Sequence, residues 1–479
     1  MKYLFLLLLL VAAACGYSSA QVSNHLDKVG DMPVVHTGDT SLPERVRIRN
    51  IIIAGNKKTR DKIITREMSV RIGDTVLRDS LDLLNDQNKK RLWNLSLFTD
   101  VTVTAAKANG NEVDIFVLVK EQWYIFPELF FKLADRNFNV WWTEQNRDIR
   151  RANLGVVLRH KNFRGNMESL GISAQIGYTQ RFGLEYFKPY LDRQQKHGAG
   201  ASFSFSNNIE TYYKTDSNKL RFVRTPPGRH IISQFTAAAV YTYRPRYSSR
   251  HLIELRYRNY RIDDTVLELN TEYFANSSNK MKLIELMYQL EYNKVDNWIY
   301  PLTGTKFVGH SVSRKGIEGF NFQQYFTAEY SRFNQVSRKW YTAGILRAKT
   351  SFPEDQPYIF RNGLGTESEY VRGYEYYVID GSQYGIARAS LKYELLNIRL
   401  VNLPLKYLPV IPIRLYPKVF ADAGYVRSIR PLNSFLNNRP LYSAGVGLDV
   451  VSTYDFKLRL EYTWNHLGEK GLFLHINSE

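Results

Sequence analysis

Two short motifs in the C-terminal half of the chain place an arginine and an aspartate where they could form an ion pair. The first motif, Val371-Arg372-Gly373-Tyr374, lies in a long stretch with the composition of a loop. The second, Phe420-Ala421-Asp422-Ala423-Gly424, lies in a stretch that alternates like a strand. A guanidinium and a carboxylate form short, charge-assisted hydrogen bonds, often two in parallel. These residues therefore predict a structural clamp between a loop and a strand.

The alternation of the second motif sets the direction in which Asp422 points. Successive side chains of a strand lie on opposite faces, so Asp422 shares its face with Phe420 and Gly424, and the residues between them are apolar. In a membrane barrel the apolar face meets lipid and the polar face lines the lumen. A lumenal aspartate without a partner is costly unless it is hydrated. We therefore expect Arg372 to reach it from a loop that folds back inside, with Gly373 allowing a tight turn and Gly424 leaving room for an incoming side chain.

The chain after Trp123 supplies the strands that must hold such a clamp. Residues 284–292 and 456–464 alternate between aromatic or aliphatic and polar side chains, the pattern of a barrel with lipid outside and a polar lumen. A soluble sandwich shows the same alternation within one strand, but many long strands in succession favour a barrel. About sixteen strands are predicted, an even number as in bacterial barrels. Their cores are 124–133, 153–160, 168–177, 181–191, 198–206, 232–244, 251–260, 281–293, 305–313, 322–334, 339–350, 386–396, 416–425, 441–450, 456–464 and 470–477.

The lengths of the predicted connections assign each of them to one side of the membrane. An even number of strands puts both ends of the barrel in the periplasm, with short periplasmic turns and long outer loops. The long connections are 134–152, 207–230, 261–280, 351–385 and 426–440, and the short ones are 161–167, 246–249, 335–338 and 451–455. Residues 397–415 are an exception, because they form a long, proline-containing connection on the periplasmic side. On this map Arg372 lies in the sixth outer loop and Asp422 on the thirteenth strand.

Residues 45–121 have the pattern of a small α+β domain in front of the barrel. Their predicted order is strand, helix, helix, strand, strand, and Thr59 is placed to cap the first helix. The Ile-Ile-Ile-Ala-Gly-Asn turn at 51–56, the helix exit at 91–98 and the Val-x-Val strand that follows resemble a POTRA domain. This resemblance implies a periplasmic module that binds extended polypeptide by adding a strand to a sheet edge. A spacer without a ligand is the alternative.

The composition indicates an exported protein without the residues of an enzyme. Lys2 and the apolar run to Ala14 predict a signal peptide at 1–20, with lipid attachment at Cys15 as an alternative, followed by a flexible leader at 21–44. Cys15 is the only cysteine, the nine histidines lack ligand spacing, and hydrolase, Walker and dinucleotide motifs are absent. We therefore expect no enzymatic activity, no metal and no cofactor. The net charge of +19 is spread along the strands, which is typical of basic loops and a basic lumen more than of nucleic-acid binding.

Together with the front domain, the clamp motifs resemble the BamA/TamA superfamily of outer-membrane assembly and translocation proteins. The Val-Arg-Gly-Tyr loop and the Phe-x-Asp-x-Gly strand match that superfamily's pair of motifs. Residues 296–304 resemble its periplasmic turn through Asp296, Pro301 and Gly304, and residues 442–447 and 459–462 resemble its penultimate strands. The resemblance implies a mainly β fold, in which a transmembrane antiparallel barrel at 123–479 lies in the outer membrane and one POTRA domain at 45–121 lies in the periplasm.

The same resemblance implies a function in outer-membrane protein insertion or assembly, without a covalent reaction. The POTRA domain would receive unfolded polypeptide, and a weak seam between the first and last barrel strands would template incoming strands. The implied partners are the outer-membrane bilayer, unfolded outer-membrane or secreted polypeptides, and periplasmic or lipoprotein partners, with no nucleic acid. The predicted seam residues are Phe130, Leu133, Gly471, Leu474 and Ile476.

Two departures from the superfamily pattern keep other functions open. The chain has room for one POTRA domain, where insertases of the superfamily usually carry several, and its last strand lacks a terminal aromatic residue. One alternative is a pore that secretes a partner polypeptide through its lumen, although residues 21–44 predict no plug helix. The other is a structural barrel without a client.

Overall fold

A computed structural model describes residues 45–108, 111–192, 194–226, 228–366, 369–401, 410–431, 433–452 and 456–476. The predicted signal peptide and leader, residues 1–44, lie outside the described residues. The chain divides into two compact units, and their boundary runs through the front domain. The described part of the first unit comprises residues 45–52, Ser69–Gln87 and Val103–Val117. The second contains Ile53–Met68, Asn88–Thr102 and Leu118–Glu479.

The front of the chain has the predicted α+β elements and one additional short strand. Its four-stranded sheet has the order β2-β1-β4-β3, and the alternating residues Val46, Ile48, Val113, Ile115 and Val117 are buried. The capping role predicted for Thr59 is wrong, because Arg60 is the N-cap residue of the first helix and makes no side-chain cap. Thr59 is buried instead, and its hydroxyl lies 2.8 Å from that of Tyr124. The elements are β1 (Arg45–Ala54), α1 (Asp61–Glu67), β2 (Thr75–Leu77), a 3₁₀ turn (Arg78–Ser80), α2 (Leu81–Trp93), β3 (Phe98–Lys107) and β4 (Glu112–Glu121).

A closed antiparallel barrel forms the remainder of the chain and confirms the predicted fold class. In the described residues it contains seventeen strands, and the last of them lies beside the first. Two of these strands, β18 (Gln383–Tyr393) and β19 (Leu396–Val401), pair one after the other with the long β20 (Val410–Arg427). They therefore occupy one position, and the wall has sixteen positions. The barrel strands are β5 (Ile125–Leu133), β6 (Ala152–Phe163), β7 (Glu168–Gly177), β8 (Thr179–Lys188), β9 (His197–Asn208), β12 (Ile232–Arg246), β13 (Ser249–Ile262), β14 (Lys280–Val295), β15 (Gly304–Glu318), β16 (Phe322–Ser337), β17 (Trp340–Phe352), β18 (Gln383–Tyr393), β19 (Leu396–Val401), β20 (Val410–Arg427), β21 (Pro440–Val451), β22 (Lys457–Asn465) and β23 (Lys470–Ile476).

The alternation along the strands separates an apolar outer face from a charged lumen. On β14, Ile284 and Leu286 are exposed on the outer face, whereas Glu285 between them is 1% exposed. Glu285 is surrounded by three arginines of neighbouring strands and receives a 2.5 Å hydrogen bond from Arg314. The outward face can therefore meet lipid, while the inward charges neutralise one another.

The outer loops contain ordered elements that the sequence pattern did not predict. A β-hairpin lies within the connection predicted at 207–230, and a buried aromatic and aliphatic cluster that includes Tyr273, Phe274 and Tyr358 packs several loops together. No helix in the described part of the chain is long and apolar enough to cross a bilayer. The loop elements are α3 (Phe138–Thr143), β10 (Glu210–Asp216), β11 (Lys219–Arg224), α4 (Asp264–Leu269) and 3₁₀ turns at Ile149–Arg151, Ala275–Ser277 and Tyr358–Phe360.

The prediction that residues 397–415 form a long periplasmic linker is wrong over most of that range. Leu396 pairs with Leu415 and Val401 with Val410, so β19 and β20 form a hairpin that continues the wall. Pro412 lies opposite Arg399 within this pairing. A proline-containing strand was read as a linker because proline is rare in central strands.

Candidate functional site: a lumenal clamp beside the barrel seam

The sixth outer loop, residues 353–382 between β17 and β18, returns to the barrel wall at the Val371–Tyr374 motif. Gly373 has a φ of +89°, which glycine adopts at no steric cost. A Cβ on Gly424 would lie 2.4 Å from Cγ2 of Val371. The missing side chain of Gly424 therefore makes space for Val371, and it lets the loop approach β20 closely.

Arg372 and Asp422 form a buried, bidentate ion pair at this point of contact. The Arg372 Nη2 and Nε donate to the two carboxylate oxygens of Asp422 at 2.5 and 2.9 Å, and the backbone N–H of Arg372 donates to Oδ2 at 3.2 Å. The guanidinium also lies 3.9 Å from the centroid of the Phe420 ring. Both side chains are below 10% exposed, at 8% and 0%. The motif residues Arg372, Asp422 and Phe420 thus meet in one contact, and we call the ion pair between Arg372 and Asp422 the clamp.

The clamp belongs to a longer chain of lumenal charges that sequence reasoning did not identify. Arg372 Nη1 lies 3.4 Å from Glu461 on β22. Lys418 on β20 bridges Glu461, at 2.7 Å, and Asp449 on β21, at 2.5 Å. The hydroxyl of Tyr300 donates to Asp449 at 2.8 Å. These residues are buried. Through the contacts above, each charged residue of this lumenal network has a partner of opposite sign.

Tyr300 connects this network to the predicted periplasmic turn between β14 and β15. Asp296 closes that turn by accepting hydrogen bonds from the amides of Leu302 and Thr303, both at 3.0 Å. Gly304 has a φ of +113°, and a Cβ there would lie 2.1 Å from the carbonyl oxygen of Lys294. Pro301 follows Tyr300 directly within the turn. The turn motif and the clamp motif, far apart in sequence, are therefore joined by the path Tyr300–Asp449–Lys418–Glu461–Arg372.

The last strand contacts the sixth loop through His475, another residue that sequence reasoning missed. Its ring stacks on Tyr370 with centroids 5.3 Å apart, and its Nε2 lies 3.7 Å from Glu375 and 3.6 Å from Glu461. The carboxylate oxygens Glu375 Oε1 and Glu461 Oε2 accept no hydrogen bond within the described part of the chain. His475 is thus the group that faces both of them, and it ties β23 to the loop that carries Arg372.

The first outer loop, residues 134–151, contacts the same loop from the other side of the seam. Arg136 donates to the carbonyl oxygens of Gly365 and Tyr377 at 2.9 and 3.0 Å, and Asn137 donates to that of Glu375 at 2.9 Å. Asn139 donates across the seam to the carbonyl oxygen of Leu472 on β23, at 2.6 Å. We call these three residues the seam bridge, since they join the loop after the first strand to the sixth loop and to the last strand.

The predicted seam residues occupy the two neighbouring strands β5 and β23. Phe130 faces inward, and its ring fills the space where a Cβ on Gly155 of β6 would lie, 2.3 Å from Phe130 Cζ. Gly471 has the same relation to the ring of the buried Phe473. Leu133 ends β5, whereas Leu474 and Ile476 lie near the end of β23. The roles of these residues at a seam stay predictions.

The turn of the β10–β11 hairpin joins outer loops across the opening of the barrel at the outer-loop end. We call this opening the mouth. Asn218 is fully buried. Its Nδ2 donates to the Val378 carbonyl at 3.0 Å and to the Ser434 hydroxyl at 2.8 Å, and its Oδ1 accepts from the amides of Phe435 and Leu436. The hairpin arises between β9 and β12, which lie half-way round the wall from β20 and β21. These hydrogen bonds therefore span the mouth.

The sixth loop also contains a carboxyl group whose titration is shifted by burial. Burial raises the pKa of Asp380 to about 6, against smaller opposing effects from a hydrogen bond with Thr215 and from the charge of Arg361. The carbonyl of Asp380 accepts a hydrogen bond from Asn437 at 2.6 Å, so this residue sits where the sixth and seventh loops meet. The described residues contain no cluster of His, Cys, Asp and Glu that could hold a metal ion.

Comparisons with known proteins match the front domain and most of the barrel. Residues 46–122 match the POTRA family, described as a surface antigen variable number repeat, and residues 162–471 match the Omp85 superfamily domain. A stretch of 108 residues is 29% identical to the outer membrane protein assembly factor BamA of Nitratidesulfovibrio vulgaris, and it covers 22% of this chain and 13% of that protein.

Two solved structures match over most of the length of this chain. CdiB from Escherichia coli has a TM-score of 0.57 and 12% identity, over 91% of this chain and 76% of that one. BamA from Haemophilus ducreyi lacking POTRA domains 1–3 has a TM-score of 0.49 and 16% identity, over 90% and 84% of the two chains. At this level of identity, the likeness to CdiB supports the fold alone.

Proposed function

This chain belongs to the Omp85 superfamily, and we propose that it inserts or assembles proteins in the outer membrane. In this proposal residues 1–20 are a signal peptide, 21–44 a leader, 45–121 a POTRA domain in the periplasm and 123–479 a barrel in the outer membrane. The POTRA domain receives unfolded polypeptide by strand addition. No covalent reaction is involved, and the free energy comes from burying the client's apolar face in lipid and pairing its backbone.

The seam between β5 and β23 is the proposed site of strand exchange. Both strands are short, with nine and seven residues, while β14 opposite to them has sixteen. A pairing that involves only the seven residues of β23 has few backbone hydrogen bonds, so in this proposal it opens at a lower free-energy cost than the pairings of long strands such as β14. The clamp would hold the sixth loop against β20 while the seam strands separate, and the seam bridge would limit that separation at the outer end.

The contact at Asn218 is the observation that favours insertion through the wall over secretion through the lumen. Asn218 makes its side-chain hydrogen bonds to two loops on the far side of the mouth. A polypeptide that leaves outward through the lumen must separate these loops and leave buried polar groups without partners. A client that leaves sideways through the seam between β5 and β23 does not need to separate these loops. Partners in the periplasm, including lipoproteins, are compatible with this route.

A reversible lock across the mouth tests the route directly. The test uses Asn218→Cys combined with Ser434→Cys, because the two native side chains meet across the mouth at 2.8 Å, and mass spectrometry verifies the disulfide before the assay. The only native cysteine, Cys15, lies in the predicted signal peptide. In proteoliposomes, the oxidised variant should insert an unfolded barrel substrate at the same rate as the reduced variant, which is its matched control. Loss of activity on oxidation that reduction restores would instead support passage through the lumen.

Depletion in cells separates the three functions that the sequence left open. Loss of many outer-membrane barrel proteins from the membrane proteome supports insertion, and loss of one exported protein supports secretion. An unchanged proteome would contradict both and leave a structural barrel without a client.

A further inference from the structure

The lipid-facing wall formed by β9, β12, β13 and β14 has a groove lined by rings near its periplasmic end. The groove is open to one side and has a volume of about 420 Å³, and its lining residues are His197, Tyr241, Tyr243, His251, Ile253 and Tyr288. The outward direction of these residues follows from the strand alternation, since Tyr241, Ile253 and Tyr288 are 40%, 43% and 39% exposed. The lumenal network does not use any of them.

Hydrogen bonds and ring stacking hold this groove in one conformation. Nδ1 of His197 lies 2.6 Å from the Tyr241 hydroxyl, and Nδ1 of His251 lies 2.8 Å from the Tyr288 hydroxyl. The rings of Tyr243 and His197 stack with centroids 5.0 Å apart. The groove is therefore formed before any ligand arrives, which lowers the entropy cost of binding.

Small side chains continue the groove toward the middle of the wall. Ala201 of β9 pairs with Ala239 of β12, and Ala199 pairs with Tyr241. These alanines share the outward face with the rings, whereas Phe203 and Leu255 beside them are 52% and 53% exposed. The wall is therefore lower along the alanines than at Phe203 and Leu255, so an extended hydrocarbon chain can lie along them.

Basic residues without ion-pair partners lie at the periplasmic end of the same wall. Lys188 ends β8 on the outward face, next to Ala199 in register. Lys196 and Arg246 lie at the adjoining turns. Within the described ranges, none of the three has a carboxylate at ion-pairing distance. Each such cation near a membrane surface attracts anionic lipid by about 1 kcal/mol.

We propose that this groove binds one anionic phospholipid of the periplasmic leaflet. Its phosphate contacts Lys188 and the polar edges of the Tyr241 and His197 rings, and one acyl chain lies along Ala201 and Ala239. The proposal rests on the outer-membrane location assigned above, but it does not depend on the client or on the route of insertion. The aromatic rings supply an amphipathic lining at headgroup level, and Lys188 supplies the charge that selects an anionic lipid.

Native mass spectrometry of the full chain released from detergent micelles tests this binding. The micelles in this assay are prepared with equal amounts of dioleoyl phosphatidylglycerol, which is anionic, and dioleoyl phosphatidylcholine, which has no net charge. We expect the protein to retain one phosphatidylglycerol, and Lys188→Gln to reduce the retained fraction about fivefold, the effect of losing one direct contact with the lipid phosphate. Lys294→Gln is the matched control, because Lys294 also lies on the outward face at the periplasmic end of its strand, β14. Its neighbour in register is Thr305 of β15, whereas Lys188 lies beside Ala199, which pairs with the groove residue Tyr241. Lys294→Gln should leave retention unchanged.

A second set of variants separates the groove from general charge attraction. Ala201→Leu with Ala239→Leu fills the lower part of the wall without altering a charge, and both positions face lipid, so folding should be preserved. Heat-dependent gel mobility verifies the folded barrel. Retention should fall in this variant as well. Equal retention of the two lipids by the unmodified chain, equal effects of Lys188→Gln and Lys294→Gln, or undiminished retention after filling would each overturn the proposal. Client insertion does not enter the assay, so its outcome is independent of the proposed function.

Discussion

Arg372 is the residue on which most of the lumenal contacts converge. It pairs with Asp422 of β20, lies 3.4 Å from Glu461 of β22 and reaches the Ser390 hydroxyl of β18 at 3.4 Å. A buried ion pair is stable only when further hydrogen bonds satisfy its remaining donors and acceptors. The surrounding strands supply these groups, so the contact fixes the position of the loop relative to several strands at once.

Removing either member of the clamp should destabilise the barrel strongly and non-additively. We expect Arg372→Ala or Asp422→Ala to lower the free energy of unfolding by about 3–5 kcal/mol, because each removes one partner of a buried, bidentate ion pair. The longer contacts that remain, Arg388 to Asp422 at 3.6 Å and Glu461 to Arg372 at 3.4 Å, compensate the remaining charge only in part. The double variant should be little worse than either single one. Urea titration in phospholipid vesicles, followed by tryptophan fluorescence, measures all three. Arg150→Ala, which breaks an exposed pair with Asp148, is the control and should cost less than about 1 kcal/mol. Additive losses would show that the two residues act separately.

Gly424 offers a second test at the level of single atoms. Gly424→Ala adds a Cβ 2.4 Å from Val371 Cγ2 and should cost about 1–3 kcal/mol through overpacking. Val371→Ala removes the clashing methyl groups. Combined with Gly424→Ala, it should give a protein no less stable in urea than Val371→Ala alone. A double variant with the sum of both losses would show that Gly424 is needed for another reason, such as its backbone conformation.

At the residue scale, the sequence predicted the contact between the two motifs, but it did not predict the ion pairs that other lumenal side chains form between neighbouring strands. Arg372, Asp422 and Gly424 were found because residue type and strand parity together restrict where they can point. Glu461, Lys418 and Asp449 have the same lumenal parity as many other charged residues of the chain. Which of them meet depends on the stagger between neighbouring strands, and alternation alone does not determine stagger. His475 has no pattern of its own, since it is one histidine on a strand.

At the element scale, the strands were predictable and the outer loops were not. Most wall strands repeat an alternation over many residues, so their cores were placed correctly, whereas β19 and the start of β20 were read as a linker. The β10–β11 hairpin also alternates, and Ser217 and Asn218 at its turn have positive φ values of 53° and 59°. Asp-Ser-Asn between two alternating runs was therefore an available turn signal. The helix α3 has only six residues, too few for a period to be recognised.

The seam bridge gives a prediction for the local opening of the last strand, β23. Asn139→Ala removes the hydrogen bond from the first outer loop to the Leu472 carbonyl, worth about 1 kcal/mol. Amide hydrogen exchange in β23 should accelerate about fivefold, while exchange in β14 and β15 stays unchanged. Thr143→Val is the matched control, because its hydroxyl bonds within the same helix, to the Asn139 carbonyl at 2.8 Å. Unchanged exchange in β23, or acceleration around the whole barrel, would contradict a role at the seam.

At the scale of the whole molecule, closure of the wall and closure of the mouth have different origins. The wall closes through sixteen positions of backbone pairing that the alternation predicts. The mouth closes through side chains of distant loops, such as Asn218 with Val378 and Ser434. No local pattern indicates which loops will meet, because their contacts depend on the diameter of the barrel and on the length of each loop. The sequence accordingly predicted the architecture and the clamp, and it left the closure of the mouth unpredicted.

The mouth should close more firmly in mild acid, and Asp380 is the group responsible. Its pKa of about 6 in the folded loops lies above the ordinary value of 3.8, so the folded state binds the proton more tightly. This contribution to stability is complete below about pH 4 and is lost as the pH rises through 6. Its upper limit is about 3 kcal/mol. Arg361 and Thr215 face the carboxyl group and oppose the shift. Arg361 lowers the pKa of the nearby Glu272. The contribution of Glu272 to stability therefore has the opposite pH dependence and is lost in acid.

Comparison with Asp380→Asn isolates the contribution of this one group. Leu436 is fully buried in the seventh loop, so the rate at which a disulfide reagent labels Leu436→Cys reports opening of the mouth. At pH 7.5, adding Asp380→Asn should slow labelling, because the neutral amide avoids burying a charge. At pH 5 the two backgrounds should label at closer rates, since Asp380 is then mostly protonated. The intrinsic pH dependence of the thiol cancels in the ratio of the two rates. A ratio that is equal at both pH values would show that burial of Asp380 does not control the docking of these loops.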